Sequence, residues 1–305
     1  MQSALQRWLL PRAGAFSVYR EGMDREALKC ATQILVEAKR PLVLFPEGVI
    51  SRTNDQVNHL MDGTVFIART AAKQKAGATP VGKVVVHPVA IRYFFEGDIQ
   101  KVLVPALEDI ERRLSWLPQS NKTLVDRVVK VGEALLTLKE IEYFESPQMG
   151  DLKQRLTRLI DHLLVPLEVE WLKGKREGNV VTRVKNLRTA ILPELVAGEI
   201  DDAERARRWR QLAAIYLAQQ LFFYPPGYFS PEPTAEKLLE TVERFEEDLT
   251  DHMPVHRPLR AVVEVGAAIE VNPVRERGVE SDPVMVKIRH DLEALLEGLK
   301  KRRRK

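Results

Sequence analysis

Cysteine, aromatic residues and long apolar runs are all scarce in this chain of 305 residues, and each shortage narrows its class. The one cysteine, Cys30, excludes an internal disulfide and fits a reducing compartment. It falls on an expected helix with no His or Asp partner in view, and so reads as a structural thiol. Charge of neither sign prevails, since 47 basic against 43 acidic residues leave +4. The first ten residues have neither the basic n-region nor the long apolar h-region of a signal peptide. Residues 211–230 are free of charge, but three glutamines and Pro225-Pro226 interrupt them. A spanning helix needs about 20 predominantly apolar residues, so no transmembrane helix is expected. No spacing of His, Cys, Asp or Glu warrants a metal or a bound cofactor.

What is present describes a folded protein. With 45% hydrophobic and 30% charged residues the chain can bury a substantial core, as one large or two ordinary domains. The run Leu42-Val43-Leu44-Phe45 reads as a short buried strand that stops at Pro46-Glu47-Gly48, because Pro46 cannot donate to a ladder. Gly48 permits a positive φ or a close approach of backbone to ligand. Upstream, Ala15–Tyr19 reads as a strand, and Asp24 caps a helix whose apolar face is Ala27, Leu28, Ala31, Ile34, Leu35 and Ala38. Residues 15–45 are then a β-α-β unit with parallel strands, which brings Arg20 and Glu47 to one sheet edge. After a polar loop from Ser51 to His59, Asp62 is the expected cap of a second helix through Val65, Phe66, Ala68, Arg69 and Ala72. Lys83–Phe95 reads as a long strand with a bulge or change of pairing at His87-Pro88.

From about residue 102 to residue 250 the pattern is helical, interrupted at Pro193 and Gly198. Arg260–Val271 returns to strand with a break at Gly266, and Val284–Leu299 is a last amphipathic helix. The expected fold is α/β, a mixed sheet with flanking helices and a large helical insertion. Its domains are 1–100 plus 257–300, then 101–256 as the insertion, then the basic tail 301–305. Two consecutive domains are the other arrangement the pattern permits, although a lone hairpin is marginal without a sheet to join.

Three blocks in this order resemble the glycerophosphate and lysophosphatidate acyltransferase family. They are Gly14-Ala15-Phe16-Ser17-Val18-Tyr19-Arg20, then Phe45-Pro46-Glu47-Gly48, then the Pro-centred strand Val86-His87-Pro88-Val89-Ala90-Ile91. The resemblance implies an O-acyltransferase of phospholipid synthesis. It would move an acyl group from acyl-CoA or acyl carrier protein, as co-substrate, to a lysophosphatidate-like glycerol acceptor. By the same resemblance Arg20, Glu47, Gly48 and Arg52 bind the acceptor, and Pro88 with His87 lines the acyl or thioester side. A forked guanidinium suits a phosphate, which is the part expected of Arg20.

The chain departs from the family in two places. Val49 and Ile50 stand where the family has Thr and Arg, so a phosphate-binding Arg is lost and Arg52 is its nearest substitute. The family's first block, a His with an Asp five positions on, is missing; no histidine of this chain is followed by Asp at that distance. The catalytic dyad is therefore expected upstream of Met1. The alternative is a non-catalytic relative that binds lipid or acyl-CoA. The aromatic stretch 221–229 reads first as packing against the α/β domain; the other reading is that it and the basic tail give a cytoplasmic protein peripheral contact with an anionic membrane. Nucleic acid is not an expected partner, because no basic-aromatic interleaving accompanies the tail.

Overall fold

The computed structural model describes residues 8–9, 11–12, 14–16, 18, 24–48, 53–78, 82–224, 232–252, 254–275, 278 and 281–302. The expected site residues Arg20 and Arg52, the second half of the aromatic stretch and residues 303–305 lie outside the described residues. The chain divides into two compact units: residues 1–50, 57–90 and 264–305 form one, and residues 51–56 and 91–263 form the other.

In the first unit, α1 (Arg25–Glu37) begins where the Asp24 carboxylate accepts the Ala27 amide, as a helix start requires. It packs on α2 (Gly63–Ala76). Asp62 precedes α2, but its side chain makes no cap hydrogen bond, contrary to expectation. Two short strands, β1 (Val85–Val86) and β4 (Ile269–Glu270), pair antiparallel, with Val86 opposite Ile269. The final helix α9 (Pro283–Arg302) buries Met285 and Ile288 against Leu60, Val65 and Ile269. Arg69 of α2 clamps the approach to α9, donating to the carbonyls of Asn272 and Val274 and to the Asp282 carboxylate.

The strand expected at 42–45 is absent. Residues 41–45 have no strand assignment, nor do Ala15, Phe16 and Val18, so the parallel β-α-β pair does not form among the described residues. Val43 and Phe45 are 74% and 78% exposed instead of buried. A strand exists only with a ladder partner, and Pro41 and Pro46 remove two of the donors such a ladder would use. The apolar composition of the run was real; its burial was not. Cys30, expected as a structural thiol, is exposed on α1.

The long strand splits at His87-Pro88, and the split is a register shift. β2 (Val89–Phe95) pairs with β3 (Leu259–Val265). The Gly266 amide donates to the Pro88 carbonyl at 2.8 Å and the Glu96 amide to the Pro258 carbonyl at 3.1 Å, so these strands also run antiparallel. Between the Val86–Ile269 and Pro88–Gly266 pairs lie one residue on one side, His87, and two on the other, Ala267 and Ala268. That is a β-bulge, with Gly266 at its edge. A Cβ on Gly266 would stand 3.2 Å from the Pro88 carbonyl oxygen, a tight contact with backbone.

The second unit is helical: α3 (Ile99–Arg113), α4 (Leu124–Phe144), α5 (Leu152–Leu172), α6 (Val180–Ala197), α7 (Asp202–Phe222) and α8 (Ala235–Thr250). Two cores hold it. One gathers α5, α6 and α7 around Leu159, Leu164, Leu187, Ile191 and Ile215. The other gathers α3, α4 and α8 around Leu103, Leu107, Val128, Val131 and Val242. Pro193, expected to break a helix, sits inside α6, where fully buried Leu187 and Ile191 hold the turn despite the lost N–H; Gly198 ends it at φ 75°. The described start of the aromatic stretch packs in this unit. Phe223 is buried, and Tyr224 stacks on Phe245 at 6.3 Å under the Arg244 guanidinium.

A repeat runs through these helices that periodicity alone does not show. Arg127, Arg155 and Arg183 each stand fourth in their helix, and each forks onto a glutamate near the end of the helix before: Glu111, Glu140 and Glu168. The partners are 15 or 16 residues apart in sequence. Glu111 and Glu140 also accept a loop amide, from Gln119 and Gln148. Each glutamate is nearly or wholly buried, and a bidentate, doubly satisfied carboxylate is the form in which a buried charge is tolerated.

Candidate functional site

The turn that ends the 41–45 segment is closed by the Gly48 amide donating to the Phe45 carbonyl at 3.2 Å. Its last residue, Gly48, has φ 68°, a conformation that costs an L-residue about 1–2 kcal/mol. A Cβ there would also lie 2.3 Å from the Met61 sulfur. Gly48→Ala is accordingly expected to lower stability by about 1–2 kcal/mol, measured by urea unfolding. An unchanged midpoint would show that the turn relaxes without cost.

Glu47 is held, not free. Its two carboxylate oxygens accept from the Asn58 amide at 3.0 Å and from the Asn58 side-chain amide at 3.3 Å. The carbonyls of Val57 and Asn58 accept in turn from the Arg289 guanidinium of α9. The Met61 amide donates to the Pro46 carbonyl at 2.7 Å, closing the loop from below. An ionised carboxylate offers about four acceptor positions, so Glu47 keeps capacity for a ligand hydroxyl. Nothing near Asn58 in sequence marks Arg289, which lies 231 residues further along, so sequence reading had no access to this support.

His87 and Pro88 sit at the bulge in the same unit. Pro88 is buried, whereas His87 is exposed, not the satisfied buried histidine its apolar neighbours suggest. The His87 Nδ1 lies 3.0 Å from the Gly266 carbonyl, which can only accept, so Nδ1 carries a proton in this contact. Asn54 and Asp55, read from sequence as solvated loop, are instead bound within the helical unit. Asn54 pairs both ways with the Tyr93 backbone, and Asp55 lies 3.3 Å from Lys237. Arg207 and Arg208 of α7 are engaged by Glu170, Glu194 and Glu204.

The Glu47-Gly48 turn and the His87-Pro88 side of the bulge fall together in one family match. The family model described as Acyltransferase covers residues 1–92. Over these residues the chain is similar to the acyltransferase family. No curated protein and no solved structure matches the chain. The matched segment contains Glu47, Gly48, His87 and Pro88, and ends within β2. No described helix is long and apolar enough to cross a membrane.

Proposed function

We propose that this chain forms the acceptor side of an O-acyltransferase that acylates a glycerol-phosphate-type hydroxyl, with acyl-CoA or acyl carrier protein as donor. The observation that carries the reading is the Glu47-Gly48 turn inside the family-matched segment, with its carboxylate fixed by Asn58 and its backbone turned by a positive φ. A fixed carboxylate accepts a glycerol hydroxyl without first losing side-chain freedom, which favours a small polar acceptor. Arg20 and Arg52 would supply the phosphate contact, and His87 with Pro88 the acyl side.

Titration calorimetry of the 305-residue chain with a short-chain lysophosphatidate tests it. Binding is expected in the wild type and at least tenfold weaker in Glu47→Gln, Arg20→Ala and Arg52→Ala; equal affinity in all four proteins would refute the acceptor assignment. The second reading, a lipid or acyl-CoA binder without turnover, is favoured by the absence of a His-x4-Asp pair from these 305 residues. Positioned general-base chemistry supplies about 10²–10⁴-fold, so the chain alone should show no transfer above background. Transfer that disappears in His87→Ala would identify His87 Nε2 as the base and end the non-catalytic reading.

A further inference from the structure

The register of β2 and β3 leaves one edge of their sheet closed and the other open. The Gly266 amide bonds to the Pro88 carbonyl and the Glu96 amide to the Pro258 carbonyl, with equal lengths of chain between the two contacts on each strand. The ladder is therefore unbroken, with Val263 opposite Ile91 and Ala261 opposite Tyr93. Even-numbered residues turn their backbone groups inward between the strands, and odd-numbered residues turn theirs outward. On β2 the outer edge is closed by side chains. Asn54 donates to the Tyr93 carbonyl at 3.1 Å and accepts the Tyr93 amide at 2.7 Å, and Glu236 accepts the Phe95 amide at 2.8 Å. On β3, nothing among the described residues bonds to the outward groups of Leu259, Ala261, Val263 and Val265. Their side chains are exposed as well, Val263 by 59% and Val265 by 62%. An exposed apolar edge is a template for another strand, and a two-stranded sheet is marginal on its own.

We propose that β3 pairs antiparallel with β3 of a second copy of this chain, about a two-fold axis at Val262, to make a four-stranded sheet. The strand's own sequence selects this partner. The self-pairing that overlaps all seven residues sets Leu259 opposite Val265 and Ala261 opposite Val263. All four positions point outward, so each pair can exchange both of its hydrogen bonds. The same register sets Arg260 of each copy opposite Glu264 of the other, on the other face of the sheet. A strand of unrelated sequence has no reason to answer that pattern, whereas a second copy answers it at both ends of the two-fold. The present partners of these charges are surface groups: half-exposed Glu96 holds Arg260, and Arg302, 69% exposed, holds Glu264. Such pairs contribute little and can exchange. The closed edge of β2 limits the assembly. With β3 used once and β2 blocked, pairing stops at two copies and does not run on into fibres.

Sedimentation equilibrium of the full chain tests the pairing, and the wild type is expected to be a dimer at tens of micromolar. Val263→Pro removes an outward N–H and keeps the inward ladder, so it should weaken dimerisation at least about tenfold with circular dichroism unchanged. Arg260→Glu and Glu264→Arg each set like charges opposite one another across the two-fold, and each should self-associate about tenfold more weakly. Mixed in equal amounts, these two variants meet opposite charges at both contacts, and wild-type dimerisation should return. Mixing could not rescue a variant that had merely failed to fold. A wild type that stays monomeric at these concentrations, including one that takes up an unrelated extended peptide instead, overturns the proposal. So does a dimer that Val263→Pro leaves intact, or a mixture that associates no more tightly than its components.

Discussion

Glu111→Ala is expected to destabilise the helical unit by about 3–5 kcal/mol, the range for breaking one side of a buried ion pair. The pair it breaks is almost wholly out of solvent, with Arg127 2% and Glu111 1% exposed. Arg127 donates from Nε at 2.8 Å and from Nη2 at 2.9 Å, and the Gln119 amide adds a third bond. Burial alone would raise the Glu111 carboxyl, but these bonds hold it below the usual range, so it is ionised at neutral pH. Arginine cannot escape by losing its proton, so truncating its partner strands a charge in the interior. Glu111→Leu combined with Arg127→Met removes both charges and should lie within about 1 kcal/mol of wild type. The exposed pair Arg113–Asp109 is the control, with both side chains 48% exposed, and Arg113→Ala should cost less than about 1 kcal/mol. Urea unfolding followed by tryptophan fluorescence reads all three. A single variant as stable as wild type, or a double variant as damaged as the single, would deny the clasp its place.

Glu240→Gln is expected to act in the other direction and to stabilise the protein, increasingly so as pH rises. The Glu240 carboxyl is raised from its ordinary 4.5 to about 8 in the native chain. Below pH 4.5 folded and unfolded states both keep the proton, and the group contributes nothing. Between 4.5 and 8 the unfolded state ionises while the native state holds its proton, so native stability declines with rising pH. Above 8 the penalty is complete. At one pKa unit per 1.36 kcal/mol it reaches about 3 kcal/mol at pH 7. Glutamine removes the titration and keeps an oxygen for the Asn54 amide. Thermal unfolding midpoints of the two proteins should coincide near pH 4.5 and separate by several degrees at pH 8. Parallel curves across that range would mean that Glu240 titrates normally.

How much of this was legible beforehand depends on the range of the interaction. Asp24 as a helix cap, the change of pairing at His87-Pro88 and the break at Gly266 are local choices, made by a side chain or a ring that acts within a few residues. The 41–45 segment failed because alternation and apolarity describe what a strand would bury, and say nothing of whether a neighbour is there to bury it. Asn54 and Asp55 failed for the converse reason. Short polar residues after a turn look solvated until a strand edge and an acidic helix are folded against them. The arginine–glutamate clasps were visible as letters but not as pairs, since each joins positions 15 or 16 apart across a loop.

By itself the sequence determined which stretches are helical and that Asp24 starts α1, because the 3.6-residue period and a capping side chain act through the nearest turns of backbone. It also determined the order of the acyltransferase blocks, since Gly48 and Pro88 impose their φ and their missing donor on any fold that contains them. Only the tertiary structure decided that Glu47 is gripped by Asn58 and, through it, by Arg289, that β2 is flanked by β3 on one edge and by side chains on the other, and that Glu240 meets Asp55. These depend on desolvation and on contacts between residues up to 232 positions apart, as in the Arg289 bond to Val57. A carboxyl group's charge is set by what surrounds it in space, and no neighbour in the chain records that.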